Sequence, residues 1–302
     1  MKKRIIRTIL LVLVLLVAGY LIELAIPKHD YFLERAGSVG ASTVETSEGD
    51  GFVDEYVSLE STSGLTAELR VRRPAGDEPV PVLLVLGGYD TGKDAVELAG
   101  TPNGVAFAAL DYPYEGEESL SGWYRTVKAI PGVQQAFLDS PAVMLLALDW
   151  LDAQPWVDRV ELIGASLGVP FTAVAGALDE RFSRVWLLHG GGDNYAWVQH
   201  GTRREIENET LAALAGRTVL FLCYGNSFDT VEWVLRTAPR DVVIVMAEDD
   251  DFVPPEAQQA FADIGDRDHV EIIWTDGRHI MPGRPDELRQ LLDVVLQRVM
   301  RE

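Results

Sequence analysis

Short apolar runs alternate with longer amphipathic segments along most of the chain after about Gly51. Short runs rich in Val, Ile and Leu are typical of strands that are buried in a parallel sheet. They are predicted at Val80–Leu86, Val105–Leu110, Val160–Ile163, Arg184–Leu188, Val242–Met246 and Val270–Trp274. Helices are predicted between and after these strands, at 94–100, 143–153, 167–178, 255–264 and 285–299. The alternation predicts an α/β fold with a mostly parallel central sheet flanked by helices.

Three further segments modify this simple alternation. An antiparallel hairpin is predicted at its beginning, from Glu55–Ser61 and Leu65–Arg72. Two stretches, Glu115–Asp139 and Asn194–Thr237, interrupt the rhythm, and the second is mostly helical in pattern. Insertions that follow sheet strands usually lie at the carboxyl edge of a sheet, where ligands bind. Both stretches are therefore interpreted as pocket walls or lids, with extra packing as the alternative, and residues 194–237 as a small helical cap.

The first thirty residues follow a different pattern. Four basic residues within positions 2–7 precede an apolar stretch that ends at Ile26 and is interrupted only by Glu23. As a helix, the segment from Ile5 to Ile26 is about 33 Å long, which covers the roughly 30 Å hydrocarbon core of a bilayer. Because only Lys28 follows it directly, the N-terminus is predicted to be cytoplasmic and the rest of the chain extracytoplasmic, periplasmic or extracellular.

This pattern divides the chain into a transmembrane signal-anchor, residues 1–30, and one globular domain, residues 31–302. The alternative is a signal peptide that is cleaved before secretion, although no A-x-A cleavage site follows the apolar stretch.

Composition and charge fit such a domain and exclude several classes of function. With 47% hydrophobic and 24% charged residues, the chain resembles an average globular protein. The formal net charge is −21, and residues 1–30 contain five basic and two acidic residues, so that the domain alone carries −24. A nucleic-acid partner is excluded, since it requires clustered Lys and Arg. The single cysteine, Cys223, allows no intrachain disulfide and is interpreted as a small buried apolar side chain.

The most informative chemical signal is the sequence Gly164-Ala-Ser166-Leu-Gly168, which lies between a predicted strand and a predicted helix. In this context G-x-S-x-G holds a serine on a sharp turn with its hydroxyl exposed above the sheet, and the glycines relieve crowding. Ser166 is therefore predicted to be a nucleophile, with an ordinary glycine-rich turn as the alternative.

A serine nucleophile needs a base, and an imidazole base needs an orienting carboxylate. The acid is predicted after a later strand, where residues 248–251 read Glu-Asp-Asp-Asp. Asp250 is preferred because it precedes Val253-Pro254 at the start of the next helix, while Asp249 and Asp251 stay open as alternatives. His279 is the predicted base, in the loop before the last helix. His189 ends a predicted strand near the same edge and is a candidate substrate contact.

Two backbone N–H groups are expected to stabilise the negative oxygen that forms when such a serine attacks a carbonyl. Leu167, directly after the serine, is predicted to supply one of them. The other is predicted to come from Tyr89, or from its neighbour Gly88, in the glycine-rich loop after the first buried strand.

From Val80 to Val299 the sequence resembles the α/β-hydrolase superfamily, and most of all its dienelactone-hydrolase and acyl-thioesterase-like branch. Gly87-Gly88-Tyr89 resembles the family's His-Gly-x oxyanion loop without the histidine, and residues 111–116 resemble its Asp-x-x-Gly turn. The nucleophile here is serine, and Val169-Pro170 replaces the usual small residues after it.

The resemblance implies attack by Ser166 on an acyl carbonyl, proton transfer through His279, orientation by Asp250 and release of the acid by water, with no cofactor or metal. The predicted function is thus hydrolysis of a carboxylic ester or thioester of a small molecule. A serine peptidase or amidase of the same fold is one alternative. A membrane-anchored binding protein that keeps the fold without catalysis is an alternative of another class.

Two other activities are disfavoured by the sequence. Residues 87–94 come within one position of the P-loop pattern G-x-x-x-x-G-K-[ST], but Asp94 replaces the hydroxyl that should bind Mg²⁺. The acidic run at 248–251 lacks the alternation and the glycine of an EF-hand calcium loop.

Overall fold

A computed structural model describes residues 2–88, 91–116, 123–281 and 283–301. Within these ranges nine strands form one sheet, in the order β1-β2-β3-β5-β4-β6-β7-β8-β9. The strands are β1 (Val39–Glu48), β2 (Phe52–Ser61), β3 (Thr66–Pro74), β4 (Val80–Leu86), β5 (Ala106–Leu110), β6 (Val157–Ala165), β7 (Phe182–Leu188), β8 (Val242–Ala247) and β9 (Val270–Thr275). Strands β1, β2, β3 and β5 pair antiparallel in that order, and β5, β4 and β6–β9 pair parallel. The six predicted buried strands and the predicted hairpin, β2–β3, are confirmed.

Helices connect most of the parallel strands. They are α1 (Lys2–Ala25), α2 (His29–Ala36), α3 (Trp123–Asp152), α4 (Val169–Leu178), α5 (Asn194–Glu205), α6 (Glu209–Leu222), α7 (Thr230–Arg236), α8 (Pro255–Ala262) and α9 (Pro285–Val299). Short 3₁₀ turns occupy Lys93–Ala99, Ser166–Gly168 and Gly225–Ser227. The predicted helix at 285–299 is confirmed with both ends unchanged.

The sheet is covered on both faces, because successive side chains of a strand point to opposite sides. In β4, Val82 and Leu84 belong to the core that includes residues of α3, α4 and α7, whereas Leu83 packs on the side of α9 with Leu291 and Val295. The structure therefore confirms a mostly parallel central sheet between layers of helices, and it places the carboxyl ends of β6, β7 and β8 side by side.

Strand β1 and helix α3 differ most from the sequence prediction, whereas helix α2 was not predicted and the predicted helix at 94–100 is a 3₁₀ segment, Lys93–Ala99. Strand β1 was not predicted, because its small and polar residues leave nearly every position exposed; pairing with β2, not burial, holds it at the sheet edge. Helix α3 begins at Trp123, far before the predicted start at residue 143. Pro131 and Pro141 lie inside it, and proline normally ends a helix. The part of 115–139 from Trp123 onward therefore belongs to a helix and does not interrupt the alternation of strands and helices.

The segment between the two N-terminal helices is held on the domain by contacts with residues 226 and 227. Leu24 is fully buried, the Asn226 side chain donates a hydrogen bond to the Ala25 carbonyl at 2.6 Å, and the Lys28 backbone N–H donates to Ser227 Oγ at 3.0 Å. In the described part of the chain no single helix has the length and hydropathy to cross a membrane. The helical segments Ile9–Ala25 and His29–Ala36 have the required length and hydropathy only when they are taken together, and a bend of 83° separates them.

Candidate active site

The turn after β6 holds Ser166 in a conformation that few side chains adopt. Its φ is +50°, in the left-handed region, where non-glycine residues are uncommon. Both glycines of the motif are required by close packing: a Cβ at Gly168 would lie 2.2 Å from the Leu86 carbonyl oxygen, and one at Gly164 would lie 2.5 Å from Thr172 Oγ1. The tight approach of this turn to β4 and α4 therefore keeps Ser166 at the carboxyl end of the sheet.

A continuous chain of hydrogen bonds starts at this serine. Ser166 Oγ lies 2.8 Å from His279 Nε2, and His279 Nδ1 lies 2.9 Å from Asp250 Oδ2. The second carboxylate oxygen, Oδ1, accepts the backbone N–H groups of Phe252 at 2.8 Å and Val253 at 2.7 Å. A carboxylate fixed in this way accepts the proton on Nδ1, so that Nε2 is left to accept the serine proton. The structure thus brings together the three residues predicted from separate motifs.

The acidic run contains four carboxylates with different surroundings. Glu248 and Asp249 are exposed, whereas the Asp250 side chain is 1% exposed. Asp251 accepts two hydrogen bonds from the Arg284 guanidinium, at 3.0 and 2.8 Å, and this contact lowers the pKa of its carboxyl to about 2. The same guanidinium donates to the His279 carbonyl oxygen at 2.8 Å. Asp250 is therefore the carboxylate of this run that contacts the imidazole, and Arg284 links the two loops.

His189 packs beside the imidazole of His279, and it is not among the described residues that line the cavity next to Ser166. It is only 2% exposed, its φ is +50°, and its ring centroid is 5.9 Å from that of His279. Its Nδ1 accepts the backbone N–H of Ile280 at 3.1 Å, and its Nε2 lies 3.4 Å from Thr275 Oγ1. Burial lowers the pKa of this imidazole to about 4, so the ring is neutral at pH 7. The structure shows no exposed face for the predicted substrate contact; His189 instead holds the loop that carries His279.

The buried ring of His189 makes the stability of the fold depend on pH. Because its pKa is about 4 in the folded chain and about 6.5 when exposed, its contribution is complete above pH 6.5 and is lost as the pH falls towards 4. The shift corresponds to roughly 3 kcal/mol over that window. In His189→Asn an amide oxygen replaces Nδ1 as acceptor and cannot titrate. We expect urea unfolding between pH 7 and 4.5 to show a smaller loss of stability in this variant than in the wild type. Parallel pH curves for the two proteins would contradict the expectation.

Two of the residues predicted to form an oxyanion site lie close to Ser166. Gly88 approaches the serine so closely that a Cβ on it would lie 3.1 Å from Ser166 Cβ. Its carbonyl oxygen is held by the N–H and the hydroxyl of Thr91, at 3.2 and 2.6 Å. Leu167 lies in the 3₁₀ turn Ser166–Gly168 that leads into α4, and the first backbone N–H groups of a helix have no partner within it. Gly88 and Leu167 therefore both lie beside the serine, while Tyr89 lies outside the described residues.

A cavity of about 290 Å³ opens beside Ser166. Seven of its twelve described lining residues lie within 194–237, and Phe137 comes from α3. Edge-to-face contacts fix the rings of Phe137, Phe171 and Phe228, with centroids 5.0 and 5.1 Å apart. Cys223 also lines the cavity, and burial raises the pKa of its thiol to about 11, so that it stays neutral. Apart from the serine, this cavity is mainly a hydrophobic space.

A second cavity and a cluster of possible metal ligands are two further places where a ligand could bind. A cavity of about 370 Å³ lies at the amino ends of β7–β9, lined by charged groups such as Arg298 and Glu271, far from Ser166 along the strands. Among the described residues, ligand atoms of His189, Asp250 and His279 lie within 4.8 Å of one another, a spacing that could hold a metal ion. These side chains already form the hydrogen bonds described above, so a cation would have to displace them.

Comparison with solved structures identifies the fold. No protein-family model matches the sequence, and no curated protein matches it. Acetyl xylan esterase 1 from Thermoanaerobacterium sp. JW/SL YS485 aligns with a TM-score of 0.59 at 18% identity, over 87% of this chain and 92% of that one. The chain has the α/β-hydrolase fold. This finding confirms the fold that the sequence resemblance implied.

Two further structures share this fold. A cold-adapted esterase from an Arctic intertidal metagenomic library has a TM-score of 0.57 and 19% identity, over 85% of this chain and 99% of that one. Glucuronoyl esterase from Solibacter usitatus has a TM-score of 0.52 and 16% identity, over 84% and 85%.

Proposed function

We propose that this α/β-hydrolase is a serine esterase in which Ser166, His279 and Asp250 form a catalytic triad. The observation that carries the proposal is the unbroken hydrogen-bond chain from the serine hydroxyl to a buried carboxylate, beside a cavity of substrate size. Similarity in fold to proteins described as esterases supports hydrolysis of carboxylic esters as its reaction. The acidic domain disfavours strongly anionic substrates, including free acyl-CoA, and therefore favours neutral esters over such thioesters.

The geometry supports a two-step reaction. Ser166 Oγ attacks the acyl carbonyl carbon while His279 Nε2 takes the hydroxyl proton, and Asp250 stabilises the imidazolium that forms. The tetrahedral intermediate collapses, the ester C–O bond breaks, and His279 donates its proton to the leaving alkoxide. Water then attacks the acyl-enzyme with His279 again as base, which releases the carboxylic acid and restores the serine.

Backbone N–H groups supply the stabilisation of negative charge in this mechanism. We assign one oxyanion donor to Leu167 and the other to the loop at Gly88 and Tyr89. One donor of this type is worth about 3–4 kcal/mol of transition-state stabilisation in serine hydrolases. The close approach of Gly88 to Ser166 supports the assignment, since a side chain on that residue would crowd the position of the substrate carbonyl.

The remaining parts of the chain take supporting functions in the proposal. Residues 31–302 form the hydrolase domain, and residues 194–237 form a cap, because they supply most of the described cavity wall. Residues 1–30 are a membrane anchor that keeps the domain on the extracytoplasmic side. The basic flank at positions 2–7 and the exposed apolar side chains from Ile9 to Leu16 support this anchor.

A fluorophosphonate probe tests the proposal, because it reacts covalently with activated serines. We expect one equivalent of label on Ser166 in the membrane fraction of cells that produce the full chain. Ser166→Ala should not be labelled, whereas the control Ser183→Ala, at the start of β7, should be labelled like the wild type. Absence of label, or equal labelling of Ser166→Ala, would refute the serine-hydrolase assignment. Label found only in the soluble fraction would refute the anchor and leave the hydrolase assignment standing.

A further inference from the structure

The wall of the cavity beside Ser166 offers little for the recognition of polar groups. Among the described lining residues, Asn194 is the only one with an amide side chain, and no lining residue is charged. Both polar ends of Asn194 are already used: its amide nitrogen donates to the Phe228 carbonyl, and its amide oxygen accepts from Thr230 Oγ1 at 3.0 Å. A hydroxyl-rich or charged group placed here would lose hydration and gain few partners among these side chains, which is unfavourable.

The apolar surface of the cavity is held in place before any ligand binds. The three phenylalanine rings pack edge to face on one another, and they come from α3, α4 and the segment after α6. The aliphatic parts of the wall are Val198 on α5 and Leu220 on α6. Because these groups are fixed by the fold, binding of an apolar group does not require them to be ordered first.

The volume of the cavity sets a limit on what enters it. Pockets that hold a whole drug-sized ligand measure roughly 300–1,000 Å³. At about 290 Å³, this cavity is suited to one limb of an ester. An acetyl group, with a single methyl, would leave most of the apolar wall without a contact, whereas an unbranched chain of several methylenes would cover it.

We propose that this cavity is an acyl-chain site and that the substrates are esters of medium-chain aliphatic acids. This inference rests on the proposed function, since it assigns the acyl side of the ester cleaved at Ser166. Each methylene that enters the cavity transfers from water to an apolar surface, which is worth about a fourfold gain in binding. The acyl chain therefore contributes to kcat/KM until the cavity is full.

A series of p-nitrophenyl esters with acids from acetate to dodecanoate tests the acyl-chain site in the full-length protein. We expect kcat/KM to rise at least tenfold from acetate to hexanoate and to fall again for the longest chains. A profile that is highest for acetate and falls steadily would overturn the proposal. The serine-hydrolase assignment would then still stand if the fluorophosphonate probe labels Ser166, so the two failures are distinguishable.

Neighbouring positions on α6 provide a matched pair of variants. Leu220 lines the cavity, whereas Val219 is 44% exposed. Leu220→Trp should lower kcat/KM for octanoate at least tenfold while changing that for acetate by less than threefold, and Val219→Trp should change neither. Val198→Phe, on α5, should have the same selective effect if Leu220→Trp does not fold. Equal losses for acetate and octanoate in the folded cavity variants would overturn the proposal.

Discussion

Replacing Ser166 by alanine is expected to lower kcat for ester hydrolysis by about 10⁵-fold or more, because loss of the nucleophile removes the covalent route altogether. The remaining activity would come from the oxyanion donors and from substrate binding alone. Steady-state kinetics with p-nitrophenyl hexanoate measure the effect. The concentration of active sites in the wild type is determined by titration, so that its kcat is referred to active protein.

Thermal unfolding provides the control for this variant. Alanine carries a Cβ as serine does and therefore meets a similar steric cost at a φ of +50°. The substitution removes one described hydrogen bond, from the hydroxyl to His279, so stability should change little. A variant that unfolds normally and retains more than about one hundredth of the wild-type kcat would contradict the nucleophile assignment.

Replacing Asp250 by asparagine is expected to lower kcat by about 10³–10⁴-fold with a much smaller effect on KM. The amide no longer stabilises the imidazolium, and it can donate to Nδ1 and so favour the tautomer in which Nε2 carries the proton. Asp250 is buried and accepts three hydrogen bonds, so its oxygens have a fixed geometry in the native loop.

The neighbouring carboxylates provide matched controls for Asp250. Asp249→Asn should leave kcat within about threefold of the wild type, because that side chain is exposed. Asp251→Asn weakens the contact with Arg284 and should cost less than about tenfold in kcat. A greater loss in Asp251→Asn than in Asp250→Asn would show that the acid of the triad has been assigned to the wrong residue.

Much of the fold was predictable because its buried strands are local in sequence. Each parallel strand is a short run of apolar residues, so the local sequence alone shows where the strand lies in the chain. Strand β1 and the first half of α3 were not predictable in this way. The first is stabilised by pairing at the sheet edge. The second continues through Pro131 and Pro141 because contacts with distant elements offset the local cost of proline: Phe137 packs on Phe171 of α4, and Asp139 accepts hydrogen bonds from Arg35 of α2.

The candidate site shows the same division between local and distant causes. Ser166 and His279 were identified by their place after a strand, which the chain order alone provides. Among the four adjacent carboxylates, Asp250 was preferred for its place before Val253-Pro254, and Asp249 and Asp251 stayed open. The backbone N–H groups of Phe252 and Val253, which fix the orientation of Asp250, are visible only in the structure. The functions of Arg284 and His189 depend on contacts across 33 and 91 positions, and neither has a sequence signal of its own.

The Arg284 guanidinium joins Asp251, next to Asp250, to the carbonyl of His279, so hydrogen bonds tie the two loops to each other. In the proposed reaction, the arrangement of the proton-transfer groups is therefore established when the chain folds and not in each catalytic cycle. In thermodynamic terms, we expect the protein side of the site to contribute little to the activation entropy, so that the temperature dependence of kcat would report mainly on the bonds that form and break.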